Sequence, residues 1–506
     1  IKPENKYGLA ATVNEGKIIQ AWNWSYANIE KNLTKLAEQG FTTIQVSPPN
    51  ELKMPTKGVK VCEPAVGGIA PNGWWMFYQP AGFQLNESTD NALGTKAEFV
   101  QMCEKAHDLG LKIIVDAVIN HMGTDDDHVG KYTNDSLDPM DHVNPRAALF
   151  EKELLDAKAF HSPWVDMTYK ENYWDGWSDY DIEEDLTQNC TSGLPDLATE
   201  TQLVQDTIYD YFVELVEAGA DGFRFDAAKH IELPTDDGNR SDFWPNVLNG
   251  AQSATSNELF FYGEILNGCG TDIGNYTRYM SITDNFYSDA VLMAANNSNP
   301  SGLANSRYNK GAAANKNVLW VESHDTYMGE SGSGGMRNTS GVSDDKIIKA
   351  WAMVGSRADA TSLFFARPAY NMGDASSNTT YKSKPVAEVN KFKNYFAGQG
   401  EYLSCDGSIA YNERGTSGVV LVNAHGTNTS VNVKANKMAN GTYKDAITGS
   451  TFTVSNGRIT GNIGNTGVAV VYNPSSNPTP DPTVTPTQAP TQAPTQAPTQ
   501  APTQAP

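Results

Sequence analysis

Four short segments carry the residue types that could do chemistry: Asp116-Ala-Val-Ile-Asn-His121, Gly222-Phe-Arg-Phe-Asp-Ala-Ala-Lys-His230, Tyr262-Gly-Glu264 and Glu322-Ser-His-Asp325. Each closes an apolar, β-branched or aromatic run and delivers a carboxylate at its end. Asp226, Glu264 and Asp325 would then converge from three strands on one rim. Several carboxylates around one pocket are what glycosidic bond cleavage requires: one acid for the leaving oxygen, a second carboxylate to attack or to activate water. Arg224 lies two positions before Asp226, on the same strand face, and is expected to hold it ionised as a nucleophile. Glu264 ends Leu-Phe-Phe-Tyr-Gly-Glu, where apolar surroundings are expected to raise its pKa and suit it to donate a proton. Singly, an Arg–Asp pair or a strand-end Glu is more often structural. The conjunction with Asp325 favours chemistry. His121 and His324, each with an Asp in its own segment, suit a polar saddle for sugar hydroxyls.

The elements that must position these groups follow from periodicity. Eight strand-like runs (Lys17–Trp22, Thr42–Ser47, Lys112–Ile119, Gly222–Asp226, Leu259–Ile265, Ser281–Tyr287, Val318–Ser323 and Ser362–Ala366) alternate with amphipathic stretches. These stretches include Ile29–Gln39, Lys96–Leu109, Gln202–Ala218 and Asp344–Arg357. Gly40, Gly110 and Gly219 stand where C-cap glycines belong. The pattern predicts a (β/α)8 TIM barrel, residues 1–121 and 197–398, with a domain inserted after the third strand over 122–196. Short alternating runs such as Gly418–Asn423, Ser430–Val433 and Gly467–Tyr472 predict an antiparallel β-sandwich over 399–474. Residues 475–506 end in five Thr-Gln-Ala-Pro repeats and read as an extended linker that a further module would follow.

Composition narrows the partners. A net charge of −22, from 37 basic and 59 acidic residues, argues against nucleic acid and anionic membranes. No apolar run reaches membrane-helix length. The chain starts at Ile1, which fits a processed, secreted protein. The five cysteines show no Cys-x-x-Cys spacing, so a thiolate zinc site is not expected; Cys103 and Cys269 read as buried thiols and a Cys62–Cys190 bridge stays open. Zinc or iron held by strand-end His and carboxylates would need a clustered His pair, and no His-x-His ends the first strand. Oxygen ligands suit calcium better, with Asn120 and Asp196 as candidates.

Taken in order, the four segments resemble the shared regions of the α-amylase family of glycoside hydrolases, and Leu194-Pro-Asp-Leu197 resembles that family's extra region in the inserted domain. Gly222–Pro234 and Trp320–Tyr327 look most like secreted bacillar members. The resemblance implies Asp226 as nucleophile, Glu264 as acid/base and Asp325 as the carboxylate that binds and distorts the sugar at the cleavage point. It implies His121, Arg224 and His324 as hydrogen-bonding partners there, Tyr78 as a stacking platform, and Lys229 and His230 on the reducing side. It implies Ca2+ held by side chains of Asn120 and Asp196 and carbonyls of Thr187 and His230. Ser323 stands where chloride-dependent relatives carry Asn, so chloride activation is not expected. The function expected is a secreted, monomeric endo-acting enzyme on starch and α-1,4-glucan oligosaccharides. A transglycosylase, an α-1,6-active relative or a non-catalytic starch-binding protein are the alternatives.

Overall fold

The computed structural model describes residues 5–65, 68–124, 143–160, 194–235, 240–266, 273–304, 311–329 and 338–474. Eight parallel strands close into a barrel: Lys17–Ala21, Thr43–Val46, Lys112–Ala117, Gly222–Phe225, Phe260–Gly263, Ser281–Thr283, Asn317–Trp320 and Thr361–Phe365. Each strand pairs with its neighbours in sequence, and the first pairs with the eighth. All eight predicted runs are strands, although the sixth turns into a helix at Asn285, short of Tyr287.

Strand alternation separates two cores. Ile18, Ile114, Tyr262, Val318, Trp320 and Leu363 point into the barrel and pack on one another. Their neighbours Ile19, Ile113, Val115, Leu319 and Phe364 point outward into the layer shared with the helices. Those helices include Tyr26–Glu38, Lys96–Asp108, Gln202–Glu217 and Asp344–Ser356, each within a few residues of its predicted span. Ser25 caps the first and Thr95 and Glu98 form a capping box on the second. Gly40 and Gly219 end two helices with φ of +78° and +113°, backbone that a side chain would strain. No helix among the described residues is long and apolar enough to cross a membrane.

The chain leaves the barrel after the third strand and comes back beside it. Met122 N donates to Pro195 O and Leu197 N to Asn120 O, both at 3.0 Å, with His121 bridging Asp196. At the far end of the molecule, eight antiparallel strands from Glu401–Asp406 to Val468–Tyr472 form one sheet, in the order first, second, third, eighth, fifth, sixth, seventh, fourth. Its core collects Tyr411, Leu421, Val433, Phe452, Ile459 and Val471 from strands near both edges, so the sheet folds over itself. Cys103 is buried as expected and Cys405 is exposed, while Cys190 and Cys269 lie outside the described residues.

Buried cations join the sheet to the base of the barrel. Helix Asp344–Ser356 ends with carbonyls that need donors. Lys17 Nζ takes Gly355 O, and Arg414 takes Ser356 O at 2.7 Å with Phe396 O and Gln399 O beside it. Arg357 forks onto Glu401 at 2.9 and 3.0 Å. Lys393 Nζ donates to Ala360 O at 2.6 Å and Ser362 Oγ at 3.2 Å, next to Lys17 in the strand register. Burial lowers the Lys393 pKa to about 7; Arg414 and Arg357 push the same way, against Glu401 and Glu15. An unfolded lysine titrates near 10.4. The unfolded chain therefore binds more protons between about pH 7 and 10, and this group makes stability rise with pH in that window. Urea unfolding at pH 7 and pH 9.5 should show a smaller rise for Lys393→Met than for the parent; an equal rise would mean Lys393 is charged in the fold.

Candidate active site

Register puts the acids side by side. Asp116 pairs with Arg224, and Arg224 with Tyr262, across three adjacent strands, so all three face the barrel interior at one level. One level higher, Asp226 and Glu264 follow the last registered pair, Phe225 and Gly263. The outward neighbours fix this choice of face: Phe223 stacks on Phe212 at 4.7 Å and Phe225 meets Trp244 at 4.9 Å. A one-residue slip would bury the guanidinium in that aromatic layer.

Arg224 is the centre of the site. Its NH1 donates to Asp116 Oδ1 at 2.6 Å and to Asp226 Oδ1 at 2.9 Å, and its NH2 donates to Glu264 Oε2 at 2.8 Å. Glu264 Oε2 also accepts the Ala227 amide at 3.1 Å. Ala227 aims that amide from φ +49°, left-handed backbone that alanine rarely adopts. Asp325 joins from the seventh strand's end, 3.4 Å from His324 Nε2.

Three carboxylates around one guanidinium cannot all stay ionised. Like charges about 5 Å apart repel by about 3 kcal/mol at an effective dielectric near 20, which exceeds two pKa units. The outcome differs from the sequence expectation. Burial raises Asp226 well above the usual carboxylate range; Arg224 opposes this, and Glu264 and Asp116 add to it. Burial also pushes Glu264 up, but Arg224 and the Ala227 amide, with Lys229 beyond them, outweigh it and carry it down to about 2. The two carboxyls are thus pushed apart, Asp226 upward and Glu264 downward, the reverse of the directions read from the strand ends.

The remaining predicted residues divide into those at this centre and those beside it. Tyr78 OH donates to Asp116 Oδ2 at 2.9 Å, and its ring stacks on His324 with centroids 5.2 Å apart and planes 11° from parallel. His121 Nε2 donates to Tyr78 O at 3.0 Å. Lys229 and the buried His230 lie on the short turn Ala228–His230 that follows Asp226. Asn120 and Asp196 are both 1% exposed, on the two segments that run together where the chain re-enters the barrel. Thr187 lies outside the described residues. Among the described residues no group of three or more His, Cys, Asp or Glu is arranged to hold a metal. The expected set has one carboxylate and otherwise neutral oxygens, a composition that suits calcium and not zinc; in that respect Asn120 and Asp196 fit the ion.

Three contributors escape sequence reasoning. Trp22 donates from Nε1 to Tyr78 OH at 3.2 Å and stacks on His324 at 5.3 Å. Gln20 Nε2 meets His324 Nδ1 at 3.3 Å. The Ala227 amide is the third. Parity with the inward Ile18 was the available signal for Gln20 and Trp22, since positions two apart share a strand face.

The chain matches the family model described as "Alpha amylase, catalytic domain" over residues 61–328. That stretch is more than half of its 506 residues, and the chain belongs to this family. An alpha-amylase from Clostridium acetobutylicum is 31% identical over 481 residues, covering 92% of this chain and 55% of that protein. One from Butyrivibrio fibrisolvens is 29% identical, with 92% and 48% covered. The chain thus spans about half the length of these two curated relatives. The crystal structure of wild-type alpha-amylase I from Eisenia fetida matches with a TM-score of 0.65 at 19% identity, covering 90% of this chain and 97% of that one, and shares the fold.

Burial, with Arg224 adding to it, lowers His324 to about 3, and burial lowers His121 to about 4. Both imidazoles should therefore be neutral at pH 6, with the Nε2 proton directed at Asp325 and at Tyr78 O respectively. Nitrogen-15 NMR of histidine-labelled protein at pH 5.5 should show two neutral Nε2–H tautomers; an imidazolium signal from either ring would contradict this electrostatic picture.

Proposed function

We propose that the protein hydrolyses internal α-1,4-glucosidic bonds of starch and related glucans with retention of configuration. One observation carries the reading: a single guanidinium bridges Asp226 and Glu264 on registered neighbouring strands. Neighbouring strands lie about 5 Å apart, and carboxyls separated by about 5–5.5 Å act by double displacement. Asp226 attacks the anomeric carbon as Glu264 protonates the departing oxygen. Glu264 then takes a proton from water, whose oxygen displaces Asp226. Asp325 binds the sugar at the cleavage point, with His121, Arg224 and His324 on its hydroxyls, Tyr78 beneath it and Lys229 and His230 on the reducing side.

The chemistry needs one proton on the pair, and the two carboxyls titrate together. In the free protein burial pushes the Asp226 carboxyl up and so favours that proton there. Its transfer to Glu264 accompanies sugar binding, when the glycosidic oxygen approaches Glu264 and the anomeric carbon approaches Asp226. Proton NMR of early hydrolysis of maltohexaose should show the α-anomer first. A β-anomer first would overturn both roles. Asp226→Asn, close to isosteric, should lose many orders of magnitude in rate while folding normally.

The same proposal takes 1–121 and 197–398 as the barrel domain, 122–196 as the inserted domain, 399–474 as the C-terminal domain and 475–506 as a linker. It includes secretion and a monomeric state. Calcium belongs to it too, held by Asn120 and Asp196 side chains with the Thr187 and His230 carbonyls. There the ion would supply a positive charge that ties the inserted segment to the barrel. Chloride has little to bind, because Ser323 offers one short hydroxyl donor where chloride-dependent relatives carry an amide, and its Oγ is already placed by accepting the Thr326 amide at the helix cap. Exhaustive chelation should lower the melting temperature of the wild type, and Asp196→Asn should shrink that drop. A melting curve indifferent to chelator would remove calcium from the account.

A further inference from the structure

Glu322 belongs to the fourth chemical segment, yet the reaction above gives it no task. It is 2% exposed, and Arg367 grips it with a two-pronged contact: Nε to Oε2 at 2.9 Å and NH2 to Oε1 at 2.8 Å. The same NH2 donates to Thr339 O at 3.0 Å and Val342 O at 2.9 Å. The guanidinium lies 5.3 Å from the centre of the Tyr327 ring. Arg367 is itself anchored two residues past the eighth barrel strand, where Ser376 Oγ donates to its carbonyl.

These contacts surround one small element. Asp325 rides on a five-residue helix, His324–Met328. So short a helix has no stability of its own, and its position is set by its tethers. At its start, Ser323 and Thr326 form a reciprocal cap directly after Glu322. At its middle, Thr339 N donates to Thr326 O at 2.8 Å, and the two threonine hydroxyls meet at 3.2 Å. On its flank stands Tyr327. Glu322, Thr339 and Tyr327 all lead back to Arg367.

We propose that Arg367 is a positioning residue for the Asp325 carboxylate, acting through Glu322 and the Thr339 segment. The inference rests on the glycoside hydrolysis proposed above, with Asp325 engaging the distorted sugar. Distortion develops on the way to the transition state, so a displaced Asp325 costs kcat more than substrate binding. A fork contacting two oxygens and two carbonyls at once needs the planar guanidinium; an ammonium keeps the charge and loses the geometry.

The test is steady-state kinetics on soluble starch with purified Arg367→Lys, its fold checked by circular dichroism. The expected result is a fall in kcat of about 100-fold, the cost of a misplacement near 1 Å, with KM little changed. Unchanged kcat overturns the proposal. So does a fall in kcat matched by an equal rise in KM, which marks a cleft loosened for every bound form. If Arg367→Lys fails to fold, Glu322→Gln is judged by the same criteria; failure of both to fold assigns the pair a purely structural role. Asp226→Asn is assayed alongside. Activity in that variant sinks the hydrolytic reading itself, whereas its inactivity beside a fully active Arg367→Lys sinks only the positioning role.

Discussion

Everything at the rim of this barrel is arranged around one buried positive charge. Arg224 lies inside a ring of acids, and the strand register leaves it no other place to go. Its side chain is 5% exposed, and the full desolvation penalty is met by Asp116, Asp226 and Glu264 together. Asp116 is the structural member of the set. It accepts both Arg224 and Tyr78, and through Tyr78 it reaches Trp22. Asp226 and Glu264 stand one level nearer to solvent. The lower level fixes the cation; the cation favours ionisation of both upper carboxylates, and the Ala227 amide adds to it at Glu264 alone.

This dependence explains why the electrostatics were harder to read than the positions. Strand parity shows Arg224 and Asp226 on one face, because they are two residues apart. It does not show that Glu264, forty positions later, shares the guanidinium, or that the Ala227 amide turns back to it. Those contacts follow from the register of the fourth strand against the fifth. Local sequence assigned the guanidinium to Asp226 alone, and so it reversed the two pKa directions.

The fold itself was legible because each barrel strand repeats the same local code. Apolar runs ending in acids, helices ending in glycine and an outlying stretch without periodicity were enough to place eight strands and the excursion after the third. Partners brought in from distant parts of the chain were not legible. Trp22 and Gln20 look like ordinary strand residues until the barrel closes against His324. The cations at the base carry no sequence signal either. Lys17, Lys393, Arg357 and Arg414 come from a strand, a helix, a helix end and the C-terminal sheet, and only folding collects them under helix Asp344–Ser356.

The two ends of the barrel use charge in opposite ways. At the base, cations meet mainly backbone carbonyls, a fixed set of acceptors that does not titrate. Apart from Glu401, the carboxylate that Arg357 grips, the groups there that exchange protons are the lysines, and they bear on stability. At the rim, one cation meets several carboxyls that compete for it, so a proton must be shared and can move. Helix Asp344–Ser356 links these regimes: its C-terminal carbonyls take Lys17 and Arg414, while Asp344 at its N-terminus lies 3.6 Å from Arg367. A single rigid helix thus sets the docking of the C-terminal sheet and also borders the clamp behind Asp325. Titratable acceptors are concentrated where a reaction needs a mobile proton, and non-titratable ones where the barrel needs an unmoving base.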